Sequence, residues 1–400
     1  MKVRHSTSNF FRRNLTQRLG YSPLLLFMNK YLTWLEIDSQ AINYNIHQFR
    51  KLIGPDKLLM PVIKSNAYGH GFLNVAKICS HNKEVDRICV VSLDEALTLI
   101  ENKINKPIMI LSFYNFDKLK LRKAINNKVI FPIYDIKQIR VLNNIAKQIH
   151  KSVKVQVEID TGASRTGVLP KDALKFIKKI KTFSHLELEG MWSHFASSEE
   201  DKTYTLKQIQ IFNRLIKTLE HHNINIPLKH MACSASSSLY PQSIFNGIRL
   251  GLSLYGLYPT PKAQNKIKLK PALSWYTRVI QTKILGPKTK IGYGGTYTTK
   301  RITKIAVLPV GYWDGYDRSF SNKAWVIIDN QKCPIRGRIC MNLSMVDVTN
   351  LKRVKTGDKV ILLGKSKDYV ITAENLSQWA KTINYEIVTR INPQIPRILI

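Results

Sequence analysis

Acidic residues are scarce in this sequence, and none occurs before Glu36. Only 27 Asp and Glu stand against 62 Lys and Arg, a formal charge of +35. Such an excess ordinarily points to nucleic acid or an anionic membrane surface. Here the lysines are spread over nearly every helical pattern and form no dense block interleaved with aromatics, and Ile, Asn and Lys are plentiful together. Compositional bias therefore explains the charge better than a nucleic-acid footprint, and no nucleic-acid partner is expected. Cysteine is also sparse. Cys79, Cys89, Cys233, Cys333 and Cys340 are odd in number and lack C-x-x-C spacing. That favours a reducing compartment, so a cytoplasmic protein is expected, and argues against a metal site. No apolar run approaches the roughly 20 residues needed to cross a bilayer, so no membrane association is expected. No Gly-rich dinucleotide fingerprint follows the first strand, which counts against an open doubly wound sheet.

The first 30 residues contain Lys2, Arg4, Arg12, Arg13, Arg18 and Lys30. Their apolar patch, Leu24–Met28, is too brief for a secretory core. An unstructured basic extension over 1–30 is expected, either an organelle-type leader or the consequence of a start upstream of Met28.

From residue 31 onward the chain alternates strand and helix. Thr33–Asp38 alternates like a strand, and Asp38 or Ser39 can cap a helix packed through Ala41, Ile42, Ile46 and Phe49. Apolar runs rich in β-formers recur at Leu58–Ile63, Ile88–Ser92, Pro107–Leu111, Val129–Ile133, Val153–Ile159, Leu186–Met191 and around Ile248–Leu254. Helical patterns lie between them at Asp94–Ile100, Asp135–Ile149, Lys171–Ile180 and Thr205–His222. This alternation predicts an α/β fold, a (β/α)8 TIM-type barrel over 31–268. The texture changes near Lys262–Lys270. Short strands and turns then predict a C-terminal mostly-β domain over 269–400, with strands at Tyr276–Ile284, Thr303–Val310, Ala324–Ile328 and Lys359–Leu363, and one helix at Asn375–Ile383.

The stretch richest in chemistry is Pro61-Val-Ile-Lys-Ser-Asn-Ala-Tyr-Gly-His-Gly71. An apolar run ends abruptly at Lys64 and passes into a polar loop. An amine at the edge of a low-dielectric site loses part of its proton affinity, which suits Schiff-base chemistry. A lysine snorkelling from a strand end would give the same pattern, so its neighbours must decide. Two further stretches sit where a barrel holds phosphate: Ala232-Cys-Ser-Ala-Ser-Ser-Ser238, and Ile248-Arg-Leu-Gly-Leu252, which carries Arg249. Each also has an ordinary reading, as a cap and as a strand-end ion pair.

Taken in order, these stretches resemble the alanine racemases, a family of fold-type III enzymes dependent on pyridoxal 5′-phosphate. The resemblance spans about residues 32–400. It implies that Lys64 is the Schiff-base residue, that Tyr68 contacts the phosphate, and that Ser234, Gly251 and Leu252 hold it. Asp160-Thr-Gly-Ala-Ser-Arg-Thr-Gly167 supplies Arg165, which by resemblance reaches the cofactor 3′-oxygen and the substrate. Trp192-Ser-His-Phe-Ala196 supplies His194, implied to pack on the pyridine ring, and Arg249 is implied to face the ring nitrogen. In the second domain, Gly292-Tyr-Gly-Gly-Thr-Tyr297 carries Tyr293, implied to be the second base, and Gly337-Arg-Ile-Cys-Met341 carries Met341, near the substrate carboxylate. The activity that the resemblance implies is a two-base racemisation of alanine, with Lys64 on the face holding the D-isomer's proton and Tyr293 opposite. The enzyme would supply D-alanine for peptidoglycan as a head-to-tail homodimer with shared active sites.

Four positions depart from the family pattern. Glu158 stands where many relatives carry a carbamylated lysine, which implies that its carboxylate braces Arg165 directly. Asn342 and Cys233 replace a common aspartate and asparagine. Pro393 occupies the place of a late phosphate-contacting tyrosine. The competing expectations are a racemase of broader specificity, for serine or lysine, and a non-catalytic pyridoxal-phosphate-binding protein.

Overall fold

A computed structural model describes residues 31–400. The expected 1–30 extension lies outside them. The described chain divides into two compact units. One comprises Ile37–Leu273 with 382–393 and 399–400; the other comprises 31–36 with Ser274–Lys381 and Gln394–Ile398. The expected boundary at 268/269 therefore misses two exchanges. Strand β1, Thr33–Ile37, runs beside later strands in the second unit, and the helix Asn384–Thr389 belongs to the first.

The first unit is a barrel of eight parallel strands: β2 Leu58–Pro61, β3 Ile88–Val90, β4 Ile108–Ile110, β5 Phe131–Ile133, β6 Val153–Glu158, β7 Leu186–Trp192, β8 Leu228–His230 and β9 Gly247–Leu250. Strands β5 to β8 form one continuous parallel ladder, β3 pairs with β4, and β2 pairs with β9. Parallel bridges Val62 to Cys89 and Met109 to Ile130 join these pieces. Arg249 N–H donates to Ala232 O at 2.9 Å and Asn246 N–H to Lys229 O at 2.9 Å, linking β8 to β9 and closing the ring. Strand β8 is not evident from sequence because Leu-Lys-His is too short to show a period. The helices Phe72–His81 and Lys118–Asn126 are further elements that the sequence patterns do not reveal.

Helix starts follow local chemistry. Asp38, Ser92, Asp117, Asp135 and Asp201 each accept a backbone N–H of the first turn, and Gln138 completes a capping box with Asp135. The barrel interior is packed with Met60, Val62, Cys89, Met109, Ile130 and Trp192. Among these apolar side chains, neighbouring strands also carry buried polar ones: Gln156 on β6, Glu189 on β7, His230 on β8 and Arg249 on β9.

The second unit is mostly β. Its main sheet runs β16 (Gln331–Pro334), β15 (Trp325–Ile328), β18 (Lys359–Lys365), β10 (Leu273–Arg278), β1 and β20 (Arg397–Leu399), with β19 (Val370–Ile371) on β18. A second sheet holds β11 (Gln281–Leu285), β14 (Thr303–Leu308) and β17 (Ser344–Asp347), and β12 (Lys290–Ile291) pairs with β13 (Tyr297–Thr298). The run expected as one strand over Tyr276–Ile284 is thus split between two sheets. The expected turn at Asp329-Asn330 joins β15 to β16, with φ of 46° and 54°, the paired positive values of a tight hairpin. The helix expected at Asn375–Ile383 is Ala373–Ala380, capped by Thr372 with Asn375.

Candidate active site

Lys64 follows β2, whose register with β9 sets Met60 level with Arg249 and Pro61 with Leu250. Ser65, Asn66 and Ala67 then adopt left-handed helical geometry, with φ of 55°, 56° and 52°, and Tyr68 follows at 52°. Each costs about 1–2 kcal/mol for an L-residue, so the turn must be held from outside. Glu95 accepts Ser65 N–H at 2.8 Å, Asn66 Oδ1 accepts Phe72 N–H at 2.8 Å, and Ile63 O accepts Ala67 N–H at 2.9 Å. Gly69, at φ 84°, lies so close to Val388 that a Cβ there would stand 1.9 Å from the Val388 carbonyl oxygen. Burial lowers the proton affinity of Lys64, the Arg165 charge lowers it further, and Glu95 opposes both.

A cavity of about 330 Å³ within the barrel unit brings together Lys64, Tyr68, Arg165, His194, Ser234, Arg249, Gly251 and Leu252. All eight are residues expected from sequence. Thr166, Trp192, Glu199, Cys233 and Tyr385 line it as well. Arg165 lies on the loop after β6, shaped by Asp160, whose Oδ1 accepts Gly162 and Ser164 N–H groups at 3.0 Å. Beneath it, buried Glu158 accepts Thr166 Oγ1–H at 2.9 Å, while its other oxygen has no partner. Burial raises the Glu158 carboxyl, partly offset by Thr166, Arg165 and Arg249.

Arg249 is buried over Trp192, 4.8 Å from the ring centre. It donates to Ser193 O at 2.7 Å, Met231 O at 3.1 Å and His230 Nδ1 at 2.5 Å. These acceptors are uncharged. Burial pushes the guanidinium down to about 10, so it stays cationic at neutral pH. Desolvation, then the charges of Arg249, Arg165 and Lys64, push His194 down to about 3, so its ring is neutral.

Tyr293 and Met341 lie in the second unit, both exposed, at 72% and 54%. Tyr293 opens a short turn between Gly292, at φ 68°, and Gly294, at φ 72°, where a Cβ on Gly294 would stand 2.7 Å from Arg338 Nη1.

The alanine racemase N-terminal domain matches residues 37–259 and the C-terminal domain 272–399. The chain belongs to the alanine racemase family. It is 38% identical over 375 residues to an alanine racemase of Halothermothrix orenii, covering 92% of this chain and 98% of the relative. Identity to an alanine racemase of Methanococcus maripaludis is also 38%, over 368 residues, covering 91% and 98%. Among solved structures, alanine racemase of Clostridium difficile superposes with a TM-score of 0.87 at 32% identity, covering 92% and 96%. The Bacillus anthracis alanine racemase with bound L-Ala-P gives 0.85 at 32% identity, covering 92% and 95%.

Pyridoxal phosphate is the family's cofactor, and the donor set in the cavity fits it. Ser234 Oγ already accepts Gly251 N–H at 3.0 Å and Ser253 N–H at 3.2 Å, so its own O–H is left to donate. Burial, with the Cys233 charge, raises Tyr68, so it too is an O–H donor, held where a Cβ on Gly251 would be 2.9 Å from its oxygen. Hydroxyl donors beside Lys64 and Arg249 suit a phosphate and an electron-poor ring. Two contributors are not evident from sequence. Glu95, near the start of a helical pattern, reads as an N-terminal-turn acid. Tyr385 falls within the range expected for the β-domain, yet its ring stands 6.3 Å from that of Tyr68. The Asn384-Tyr-Glu386 stretch, separated from the preceding helix by Lys381-Thr382-Ile383, is the available signal.

Proposed function

We propose that this racemase interconverts L- and D-alanine with two bases, Lys64 and Tyr293, the second supplied by another copy of the chain in a head-to-tail homodimer. The observation that carries the reading is one cavity holding an amine of lowered proton affinity together with an arginine, a neutral imidazole and several hydroxyl donors. Bound pyridoxal phosphate supplies an electron sink for the pair left when the substrate Cα proton departs. The chain's residues do the rest. Ser234, Tyr68, Gly251 and Leu252 bind the phosphate, and Tyr385, which lines the same cavity, adds a further hydroxyl. Arg165 holds the substrate carboxylate side. Neutral His194 offers a flat ring without competing for protons. Arg249, with a proton it does not surrender, keeps the facing nitrogen from becoming positively charged.

Racemisation requires proton exchange on both faces of Cα. Lys64 Nζ serves one, and Tyr293 Oη serves the other. The exposure of Tyr293 and Met341 in the single chain supports their reservation for a second copy. No helix among the described residues is long and apolar enough to cross a membrane, in keeping with a cytoplasmic enzyme feeding peptidoglycan synthesis. The purified protein should absorb at about 420 nm, as lysine-bound pyridoxal phosphate does, and borohydride or Lys64→Ala should remove the band. Inactive Lys64→Ala and Tyr293→Phe chains, mixed and allowed to exchange subunits, should regain activity through one intact site. No recovery would sink the shared-site arrangement, and turnover of L-serine or L-lysine ahead of L-alanine would shift the substrate.

A further inference from the structure

Three buried polar side chains of the barrel have no role in the proposed chemistry: Gln156, Glu189 and His230, exposed by 0%, 8% and 0%. They lie on adjacent strands β6, β7 and β8, and hydrogen bonds join all three. A guanidinium only donates, so His230 Nδ1 accepts from Arg249 at 2.5 Å and the neutral ring carries its proton on Nε2. That Nε2–H donates to Gln156 Oε1 at 2.8 Å. The bond fixes the orientation of the Gln156 amide, whose Nε2–H donates to Glu189 Oε2 at 2.7 Å. Glu189 is held by two bonds from Arg87, at 2.6 and 3.0 Å, and by Lys154 at 3.3 Å. Every donor in the chain points from Arg249 toward the carboxylate.

We propose that Glu189 is a positioning residue for Arg249, acting through Gln156 and His230 as a one-way hydrogen-bond relay. This rests on the reading that Arg249 faces the cofactor nitrogen. A buried cation needs compensation, yet a carboxylate in direct contact would occupy the guanidinium face that the ring nitrogen requires. A relay satisfies both demands. It brings negative charge toward Arg249 by polarising two neutral side chains, and leaves an uncharged imidazole as the contacting acceptor, as a carboxylate orients the histidine of a hydrolase triad. The ionisation directions agree. Burial opposes the Glu189 charge, but Arg87, Gln156 and Lys154 hold the carboxyl below its usual range, and burial with the charges of Arg249 and Arg87 keeps His230 neutral.

Glu189 and Arg249 share no direct hydrogen bond, so a purely structural Glu189 predicts independent effects. The test is a double-mutant cycle, Glu189→Gln against Arg249→Lys, read as the dissociation constant of the apoprotein for pyridoxal phosphate by fluorescence titration. The relay predicts coupling of about fivefold or more, and additivity within about twofold overturns it. In a Gln156→Leu background the coupling should vanish; its persistence also overturns the relay. Should Gln156→Leu not fold, ¹⁵N spectra of His230 in the parent apoprotein decide: a neutral ring protonated on Nε2 supports the relay, and a proton on Nδ1 refutes it. A parent chain that binds no pyridoxal phosphate would instead defeat the functional reading, while the His230 tautomer still judges the relay.

Discussion

The barrel unit and the β unit present their candidate residues in opposite ways. In the barrel, Lys64, His194 and Arg249 sit among buried groups, and burial is the largest cause of a downward shift in each. In the β unit, Tyr293 and Met341 stand on the surface, Tyr293 on a turn flanked by glycines of positive φ. A lysine tuned by desolvation is prepared within its own chain. Tyr293 instead stands in the open on the single chain, as the proposed role for a second copy of the chain requires. The difference teaches where the proposed division of labour between two chains can be tested.

The comparison breaks most visibly at the two proposed bases. Lys64→Ala should lower racemisation by at least about 10³-fold, since it removes both a base and the covalent anchor, and should abolish the absorption band. Tyr293→Phe should cost about 10²–10³-fold in kcat while leaving the band, the affinity for pyridoxal phosphate and the Tm in place. A fall in cofactor affinity with Tyr293→Phe would mean that the β unit does more than face the substrate.

A smaller effect tests Glu158. The Arg165 charge favours the ionised Glu158 carboxylate, and if that attraction in turn braces the arginine, Glu158→Gln should raise KM for alanine by about tenfold with a lesser change in kcat. Stability should move the other way. The raised Glu158 carboxyl means that the native chain holds its proton more tightly than the unfolded chain, so charging it costs stability as pH rises out of the ordinary carboxylate range. The Glu158→Gln apoprotein should therefore melt higher than the parent at neutral pH, and the advantage should disappear on acidification. An equal advantage at all pH values would exclude this account.

The smallest effect concerns His194. Its folded value, about 3, lies below the unfolded 6.5, so the unfolded chain takes up the proton first as pH falls. The stability this group allows is complete above the unfolded value and is lost between there and about 3. Replacing it with glutamine should flatten that limb. Denaturant titrations of parent and His194→Gln apoprotein at neutrality and at about pH 4.5 would show it, and parallel losses would contradict the assignment.

Much of the barrel was legible because strand-helix alternation survives in a single sequence. Amphipathic helices such as Lys202–His221 announce themselves through Ile209, Phe212, Leu215 and Leu219. The shortest elements did not. Leu228–His230 is three residues long, and its backbone pairing, not its composition, makes it a strand. The candidate site residues were visible as motifs, but Glu95 and Tyr385 were not, because their relevance depends on which distant segment they meet. Thr33–Ile37 shows the same limit at the level of domains: its alternation reads as a strand, and nothing local says whose sheet it joins.

By itself, the order of residues determined the element types, the lysine at the end of an apolar run, the serine and arginine stretches further along and the weak acidic content. These are local properties of spacing and side-chain chemistry. Tertiary structure alone decided the left-handed turn after Lys64, held by Glu95 from another element, and the path of bonds from Arg249 through His230 and Gln156 to Glu189. Hydrogen bonds and desolvation act over a few ångströms, and only the folded chain brings residues so far apart in sequence within that reach.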